Sequence, residues 1–296
     1  MQRYISIIGA SRSDLLRLAA YYCQRVVTSR AIRRLSHSVL LLVLRRRYQR
    51  HVQQVAPGGA GTSRHLRDHG YCNLEPLLTG PQCRAMHAYL AAHALQDSRG
   101  SGKNFTLDTI PEACKIGDYQ LDTVVNCPHV MEIANHPKIL RLAVDYLGFT
   151  PVISGLSLRW TFPSQAAPDE VQSFHRDCEL GSFKVLVYLS DVDADSGPHT
   201  YAARSHLDRM PWRLRVVPDA QVRREGREGV TMLGAAGTSF AIDTRGLHKG
   251  AIPRKHPRLM LGIQYSLLPC LLFDYAPVRY TGPATLEKYV NRLVVA

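Results

Sequence analysis

A His-x-Asp pair, His175 and Asp177, stands just ahead of a strongly β-prone run in this 296-residue chain. The run, FKVLVYL at 183–189, is rich in β-branched and aromatic residues and is followed by a Gly197-Pro198 turn, so it predicts a β-strand. Side chains alternate along an extended chain, which points both members of the pair the same way. A helix would place them roughly 200° apart. The pair therefore favours a fold with strands at this place.

A second unit of the same kind lies downstream. Residues 237–243 predict a strand and residues 244–246 a turn, after which His248 follows. Two histidines and one carboxylate from adjoining strands form a face that binds Fe(II) and leaves three coordination positions open. A His-x-Asp pair alone is common by chance, so the prediction depends on strand context, order and spacing together. The candidate metal ligands, which are also the candidate catalytic residues, are His175, Asp177 and His248.

The same strands carry polar side chains that suit a cosubstrate. Alternation in the run 183–190 places Lys184 and Tyr188 on one face, and a mid-strand lysine is costly to bury unless an anion meets it. Arg258 opens the next predicted strand and shares its face with Gln264. Fe(II) can be chelated by the 2-oxo acid end of 2-oxoglutarate, whose far carboxylate then needs a fixed cation. The planar fork of arginine suits that carboxylate. The candidate cofactor-binding residues are Arg258, Lys184, Tyr188 and Gln264.

Positive charge is concentrated at the start of the sequence. The formal net charge is +13, and residues 1–56 hold eleven arginines and one acid, Asp14, so +10 lies there and +3 in the remainder. Apolar spacing between residues 11 and 55 predicts one or two amphipathic helices. We expect a basic helical extension at 1–56, a flexible linker at 57–64 and a catalytic domain at 65–296.

The basic extension has three interpretations that the sequence leaves open. It can contact an anionic membrane or another acidic partner, it can be an organelle transit peptide, or it can pack on its own domain. Its longest apolar run, Val39 to Leu44, is too short to span a bilayer. Seven scattered cysteines without a Cys-x-x-Cys motif favour a reducing compartment. We expect a cytoplasmic protein, with peripheral membrane contact and organelle targeting as alternatives.

The order of predicted elements indicates an α+β fold. A short extended piece at Tyr71–Leu74 and helices at 80–95 and 134–148 come first, the second helix capped by Asn135 and ended by Gly148. Strand-like segments then continue from residue 151 to residue 265. Helices followed by strands predict a helical layer that backs a β-sandwich or barrel.

The sequence contains no motif of several other functional classes. No G-x-S-x-G elbow, G-x-G-x-x-G loop or Walker loop occurs. Residues 65–296 lack the basic stripe and the stacking aromatics of a nucleic-acid-binding domain, so nucleic acid is not an expected partner. Four further histidines lie outside the candidate metal set and are interpreted as structural or surface residues: His129, His136, His199 and His206.

The segment FHRDCELGSFKVLVYLSDVDADSGPHTYAARSH, with His248 and Arg258 downstream, resembles the phytanoyl-CoA dioxygenase (PhyH) family of Fe(II)/2-oxoglutarate oxygenases. HGYCNLEPLLTGPQCRAMHAYLAAHAL and HPKILRLAVDYLGFTPV resemble earlier segments of that family, and the likeness covers residues 64–266. It implies a double-stranded β-helix, the cupin-type jelly roll, backed by helices. It also implies His175, Asp177 and His248 as iron ligands, Arg258 as the anchor for 2-oxoglutarate and Lys184 as a pocket residue. One departure is that the family's Pro-Gly-Ser-His is replaced here by residues 203–206, Ala-Arg-Ser-His.

The resemblance implies a dioxygenase that uses Fe(II), 2-oxoglutarate and O₂, with ascorbate as a candidate reductant. Relatives that halogenate have a small residue in place of the carboxylate ligand. Because Asp177 is present, hydroxylation of an unactivated C–H bond, with release of succinate and CO₂, is favoured. The expected substrate is a small molecule or is lipid-like. The alternative is a non-catalytic binding or scaffold protein that uses the basic extension to hold an acidic partner or a membrane.

Overall fold

Antiparallel strands form the centre of the chain, as a computed structural model shows for residues 3–5, 11–48, 60–165, 167–211, 215–227 and 229–296. The predicted strand at Tyr71–Leu74 is confirmed, and Arg258 opens a strand as expected. The strands are β1 (Arg3–Tyr4), β2 (Tyr71–Leu74), β3 (Leu95–Asp97), β4 (Asn104–Phe105), β5 (Ile116–Tyr119), β6 (Val152–Thr161), β7 (Ser182–Tyr188), β8 (His199–Ala202), β9 (Gly229–Met232), β10 (Ser239–Ile242), β11 (His248–Gly250), β12 (Arg258–Ser266) and β13 (Phe273–Asp274).

Residues of two sheets line one cavity, which contains His175, Asp177 and His248. The larger has eight strands in the order β2-β10-β7-β12-β6-β5-β3-β4, and the smaller has the order β11-β8-β9. An isolated antiparallel bridge joins His175 to His248 at the edge of the smaller sheet. A separate two-stranded pair joins β1 and β13.

Helices cover the outer face of the larger sheet, and the α+β prediction is confirmed. The main apolar cluster contains buried side chains of the helices Gly80–Ala91 and Pro137–Leu147 together with those of β6, β7 and β12. The helices are α1 (Arg12–Val26), α2 (Arg30–Arg47), α3 (Ala60–His69), α4 (Gly80–Ala91), α5 (Leu121–Asn126), α6 (Val130–Ala134), α7 (Pro137–Leu147), α8 (Asp219–Arg224) and α9 (Lys288–Asn291).

Strand β12 has one face in the apolar core and the other on a cavity between the sheets. Its odd-numbered residues from Leu259 to Tyr265 are fully buried in the main apolar cluster below the helices. Its even-numbered residues face the other way, and four of them line a cavity between the sheets: Arg258, Met260, Gly262 and Gln264. The period of two in side-chain direction thus separates core residues from candidate site residues along one strand.

Two helix boundaries differ from the predictions. The helix that begins at Gly80 ends at Ala91, and Leu95 belongs to β3 instead. Helix α7 is capped by His136, whose Nδ1 accepts from the backbone N–H of Lys138. The predicted cap, Asn135, instead donates to the backbone oxygen of Met131 and to Asn291 Oδ1. Gly148 ends α7 in the left-handed conformation, as predicted.

The N-terminal helices pack on the strand-rich region. Leu44 of α2 lies in the main apolar cluster, and His37 Nε2 lies 2.9 Å from the backbone oxygen of Leu147. Residues 60–64, predicted as part of a linker, form the first half of α3, because Ser63 and Leu66 are buried there. The remaining linker residues, 57–59, lie outside the described part of the chain. The division into extension, linker and domain stays a prediction.

Residues 203–206, which replace the family's Pro-Gly-Ser-His, still form a turn that contains a left-handed residue. Arg204 has φ 63, a conformation that favours glycine and occurs here in an arginine. Its backbone N–H donates to the oxygen of His69, which ties the turn to the end of α3. The turn therefore keeps a glycine-like backbone without the glycine.

Candidate active site

Backbone hydrogen bonds bring the two predicted units side by side. His175 and His248 exchange N–H···O bonds of 3.0 Å in both directions, and the N–H of Asp177 donates to the oxygen of Thr244 at 2.8 Å. These bonds hold the His-x-Asp segment against the turn that precedes β11. The two units are distant in the sequence but adjacent in the fold.

The three candidate metal ligands meet at one point. One ligand atom from each of His175, Asp177 and His248 lies within 4.8 Å of the other two. The imidazole rings are 4.3 Å apart between centroids and tilted by 52°. Two imidazoles and one carboxylate on one side of a cavity are the donor set of non-haem Fe(II) sites, so the residues present fit that ion.

Both histidines have the tautomer that metal coordination needs. Nδ1 of His175 lies 2.9 Å from the backbone oxygen of Ser173, and Nδ1 of His248 lies 2.9 Å from that of Gly246. A carbonyl oxygen only accepts, so each Nδ1 carries the proton and donates it. Each Nε2 then keeps its lone pair for a metal.

Local charges keep the donor set in its metal-binding protonation state. Burial raises the pKa of Asp177, but Lys184, whose Nζ donates to Oδ2 at 2.8 Å, and the two histidines outweigh it and lower the pKa below its ordinary value. Burial lowers the pKa of His248 to about 3. At neutral pH Asp177 is therefore a carboxylate and His248 a neutral imidazole.

A cavity of about 360 Å³ adjoins the three ligands. Beyond the metal centre its wall combines apolar and polar side chains. Six of the apolar side chains are Ile116, Leu156, Leu186, Ile242, Met260 and Phe273. Polar side chains also line it, and four of them are cationic: Arg99, Arg159, Lys184 and Arg258. The cavity therefore offers apolar contacts together with several charged groups.

Arg258 brings a buried positive charge to this cavity. The residue is 3% exposed, and Nη2 donates to Thr161 Oγ1 at 3.4 Å. Among the described residues, Nε and Nη1 have no hydrogen-bond partner, and no carboxylate forms an ion pair with the guanidinium. Burial lowers its pKa to about 10, so the guanidinium remains charged at neutral pH. An unpaired buried cation is costly, and a carboxylate ligand would compensate it.

The other predicted cofactor-binding residues lie in different surroundings. Lys184 and Gln264 are opposite each other on β7 and β12, and both line the cavity. Gln264 Nε2 is buried without a partner in the described chain, which leaves a donor free for a ligand. Tyr188 is fully buried outside the described lining, and its hydroxyl donates to Met232 and accepts from His199 N–H. A direct binding role for Tyr188 stays a prediction that these hydrogen bonds do not favour.

His199 belongs to the site, although the sequence analysis interpreted it as structural or surface. It is 4% exposed, lines the cavity and stacks 5.8 Å from the His248 ring. Its Nε2 has no partner among the described residues. Burial lowers its pKa well below the ordinary value, so it is neutral. The pairing of His199 with Gly250 across β8 and β11 creates this proximity, and no short-range sequence signal reports such a pairing.

Three other histidines keep the structural or surface roles predicted for them. His206 bonds the backbone oxygen of Arg67 through Nε2, and His129 bonds Glu132. His136 caps α7. Gln172 and Arg159 line the cavity and were not predicted. Arg159 is held by a bidentate ion pair with Asp118, with bonds of 2.7 and 2.9 Å.

Comparison with known proteins gives a family match. The sequence model of the phytanoyl-CoA dioxygenase (PhyH) family matches residues 66–252, which contain His175, Asp177 and His248. The matched segment stops short of Arg258. A comparison with curated proteins gave no match.

Several solved structures share the fold at low sequence identity. The non-heme alpha ketoglutarate dependent carbocyclase SnoK from nogalamycin biosynthesis is 16% identical, with a TM-score of 0.53 over 71% of this chain and 84% of SnoK. The epimerase SnoN, solved with Fe³⁺, alpha ketoglutarate and nogalamycin RO, is 18% identical, with a TM-score of 0.53 over 77% and 96%. EctD from S. alaskensis, solved with 2-oxoglutarate and 5-hydroxyectoine, is 18% identical, with a TM-score of 0.51 over 82% and 87%. This likeness confirms the predicted jelly-roll core.

Proposed function

The chain belongs to the phytanoyl-CoA dioxygenase family of 2-oxoglutarate-dependent oxygenases, and from this premise we propose that it hydroxylates an unactivated C–H bond of a small-molecule or lipid-like substrate. Iron and 2-oxoglutarate, when bound, supply the oxidation of C–H to C–OH by O₂, with decarboxylation of 2-oxoglutarate to succinate and CO₂. Asp177 fills the carboxylate position of the ligand set. That occupancy favours hydroxylation over halogenation.

The observation that carries the proposal is the unpaired guanidinium of Arg258 in the same cavity as the three ligands. A metal centre alone fits many chemistries. A buried cation with two unpartnered nitrogens, on the cavity wall shared with a His-Asp-His centre, fits a cosubstrate with a carboxylate at each end.

Each residue then has a defined task. Nε2 of His175, Nε2 of His248 and one oxygen of Asp177 hold the ion, while Lys184 holds the other carboxylate oxygen and keeps Asp177 ionised. Arg258 binds and orients the distal carboxylate of 2-oxoglutarate. The apolar side chains of the wall offer contacts for a small-molecule or lipid-like substrate, and the cationic ones can bind an acidic group on it.

The test is Fe(II)-dependent conversion of 2-oxoglutarate to succinate, measured while candidate substrates, both small molecules and lipid-like ones, are screened. A true substrate raises succinate release and gains one oxygen atom by mass spectrometry. His175→Ala should abolish both signals, whereas His256→Ala, at an exposed histidine, should leave them unchanged. Succinate release that persists in His175→Ala would contradict the proposal. Ascorbate as a reductant stays a prediction that the same assay can check.

The non-catalytic scaffold predicted as the alternative is not favoured. A protein that had lost its chemistry would be free to lose a ligand or to pair Arg258 internally. Here all three ligands converge, and Arg258 has no acidic partner in the described chain. A scaffold would release no succinate under any condition of the assay above.

Helices α1 and α2 support a second part of the proposal, which is peripheral contact with an anionic membrane. None of the described helices combines the length and apolar character needed to cross a bilayer. Exposed aliphatic side chains recur along one face of α2: Ile32 at 54%, Leu35 at 65%, Val39 at 53% and Val43 at 51%. The helix carries arginines and no acid. Exposed apolar residues flanked by cations fit the interface of an anionic bilayer.

Vesicle flotation of the full chain tests this contact. The chain should float with phosphatidylserine-containing vesicles and remain unbound with neutral ones. Leu35→Glu/Val39→Glu should weaken binding by about tenfold or more, because each buried aliphatic side chain contributes about 1.5–3 kcal/mol. Leu233→Glu is the matched control at an exposed leucine outside the helices. If the double variant binds the vesicles as the wild type does, α2 does not make the proposed membrane contact. A membrane-peripheral location follows from this proposal, whereas the cytoplasmic location and organelle targeting stay predictions.

A further inference from the structure

A second cavity, of about 260 Å³, lies between the N-terminal helices and the strand-rich region. Its described lining shares no residue with the cavity at the metal centre. Five arginines line it, three from α2, one from α3 and one from the turn before β11: Arg30, Arg33, Arg34, Arg67 and Arg245. A wall with five guanidinium groups indicates an anionic ligand.

The acids near this cavity do not neutralise these arginines. Asp208 lines the cavity but is bound by Arg176 at 2.8 Å and by Arg227 at 2.7 Å. Asp243 is bound by Arg245. In the described part of the chain, four of the five arginines therefore have no carboxylate partner, namely Arg30, Arg33, Arg34 and Arg67.

Arg33 is the clearest member of this group, because it is buried as well as unpaired. It is 5% exposed. Its guanidinium donates only to backbone oxygens, those of Gln24 at 3.1 Å, Val27 at 3.3 Å and Cys178 at 2.8 Å. Nε is buried and has no partner among the described residues. Carbonyl oxygens satisfy its hydrogen bonds, and Asp243 and Glu179 attract its charge without forming an ion pair with it. An anion in the cavity would therefore stabilise it further.

The start of α2 adds a second and independent attraction for an anion. This 18-residue helix begins at Arg30, its N-cap Ser29 makes no side-chain capping bond, and its first turn has no acid. The N-terminus of a helix carries partial positive charge, where acids rather than arginines stabilise it. Arg30, Arg33 and Arg34 therefore stand at the electrostatically unfavourable end. A bound oxyanion would be attracted both to the N-terminus of α2 and to these arginines. It would also accept hydrogen bonds from backbone N–H groups of the first turn.

We propose that this cavity between α2, α3 and the turn before β11 binds a phosphoryl group. The planar forks of arginine bind a tetrahedral oxyanion through paired hydrogen bonds. The cavity is smaller than pockets for drug-sized ligands, which measure roughly 300–1,000 Å³, so one phosphoryl group with a short substituent fits better than a whole nucleotide. The group can come from a phospholipid headgroup or from a soluble phosphate ester.

The first test measures stabilisation of the full chain by inorganic phosphate, with sodium chloride of equal ionic strength as reference. Phosphate should raise the unfolding temperature of the wild type. Arg30→Gln/Arg34→Gln should weaken phosphate binding by about tenfold or more, because hydrogen bonds to charged groups contribute about 1.5–3 kcal/mol each. Both arginines are exposed, so the variant should fold. Arg46→Gln, an exposed arginine at the other end of α2, is the matched control and should bind as the wild type does.

Competition on vesicles distinguishes the two sources of the phosphoryl group. If phosphate displaces the chain from vesicles that contain phosphatidic acid, the site accepts a lipid headgroup. If phosphate stabilises the chain but leaves vesicle binding unchanged, the site serves a soluble phosphate ester. Both results support the site. No stabilisation beyond that of chloride, or equal weakening in Arg46→Gln, would overturn it. The readout is independent of oxygenase activity, so this inference and the proposed function fail separately.

Discussion

His175 and His248 exchange two backbone hydrogen bonds of 3.0 Å, and the rings above those bonds lie 4.3 Å apart. The two residues stand at the edge of the smaller sheet, where β11 begins. Each ring donates Nδ1–H to a carbonyl two residues earlier in its own chain segment. The backbone therefore fixes both the separation and the tautomer of the two imidazoles before any metal binds. The site is preorganised for an ion.

Replacement of Arg258 should weaken 2-oxoglutarate binding and spare the metal. Arg258→Met removes the cation that is proposed to meet the distal carboxylate, and loss of one member of a buried charge pair costs about 2–5 kcal/mol. We expect KM for 2-oxoglutarate to rise by about thirtyfold or more, with unchanged Fe(II) affinity. Arg254→Met, at an exposed arginine four residues earlier, is the control. An unchanged KM in Arg258→Met would exclude Arg258 as the anchor.

The same variant should be more stable than the wild type when no ligand is present. Arg258 is buried without an acidic partner in the described chain, and removal of an uncompensated buried charge relieves a desolvation cost. Urea unfolding of the metal-free protein should show a gain of about 1 kcal/mol or more for Arg258→Met. Saturating 2-oxoglutarate and Fe(II) should reverse the order, because only the wild type gains the carboxylate contact. A loss of stability without ligand would mean that Arg258 serves the fold.

Gly250 should be needed for the position of Arg258. A Cβ at Gly250 would lie 2.8 Å from Arg258 Nη2, so Gly250→Ala must displace the guanidinium. The displaced guanidinium should bind the distal carboxylate less well, and we expect KM for 2-oxoglutarate to rise by about tenfold, which corresponds to about 1.4 kcal/mol. Gly229→Ala is the matched strand control, since its Cβ would meet only Thr200 Cγ2 at 3.6 Å. Equal KM values for the two variants would contradict the assigned role of Arg258.

Acid stability should depend on Asp243. Burial raises the pKa of this carboxyl, but Arg245 and Tyr146 outweigh burial and hold it at about 2, below the ordinary 3.8. Its stabilising contribution is complete above the unfolded-state value and is lost as the pH falls through the folded-state value. About 2 kcal/mol of unfolding free energy should therefore disappear between about pH 5 and about pH 2.

The comparison variants for that prediction are Asp243→Asn and Asp108→Asn. Urea unfolding at several acidic pH values should give a shallower pH dependence for Asp243→Asn than for the wild type. Asp108 is exposed, and its variant should follow the wild type. Parallel curves for all three proteins would show that Asp243 does not contribute this part of acid stability.

Strand alternation explains why much of the site could be predicted from the sequence. The strand predicted at the pair is only a short extended segment, because His175 forms an isolated bridge with His248 and Asp177 lies beyond it, outside any strand. Both side chains nevertheless reach the metal centre, as the alternation of an extended chain predicted. The same rule placed Lys184, Arg258 and Gln264 on the faces that line the cavity. It did not predict that Tyr188, on the face of Lys184, has its hydroxyl bound by backbone groups.

Features that depend on packing between distant segments could not be predicted. His199 enters the site because β8 pairs with β11, and its immediate sequence is that of an ordinary strand. Helix α3 begins inside a Gly-rich stretch because Leu66 is buried there. The second cavity, which five arginines line, forms only when α2 packs against residues that are distant in the sequence, such as Arg245. In each case a tertiary contact outweighs the local pattern.

Visible absorption of the anaerobic protein with Fe(II) and 2-oxoglutarate tests the central claim most directly. The account predicts a weak metal-to-ligand charge-transfer band for the wild type and for His256→Ala. The band should be lost in His175→Ala and should need far more 2-oxoglutarate to appear in Arg258→Met. A band in His175→Ala as strong as that of the wild type, or no band in the wild type, would contradict the proposal that His175, Asp177 and His248 hold the iron that 2-oxoglutarate chelates.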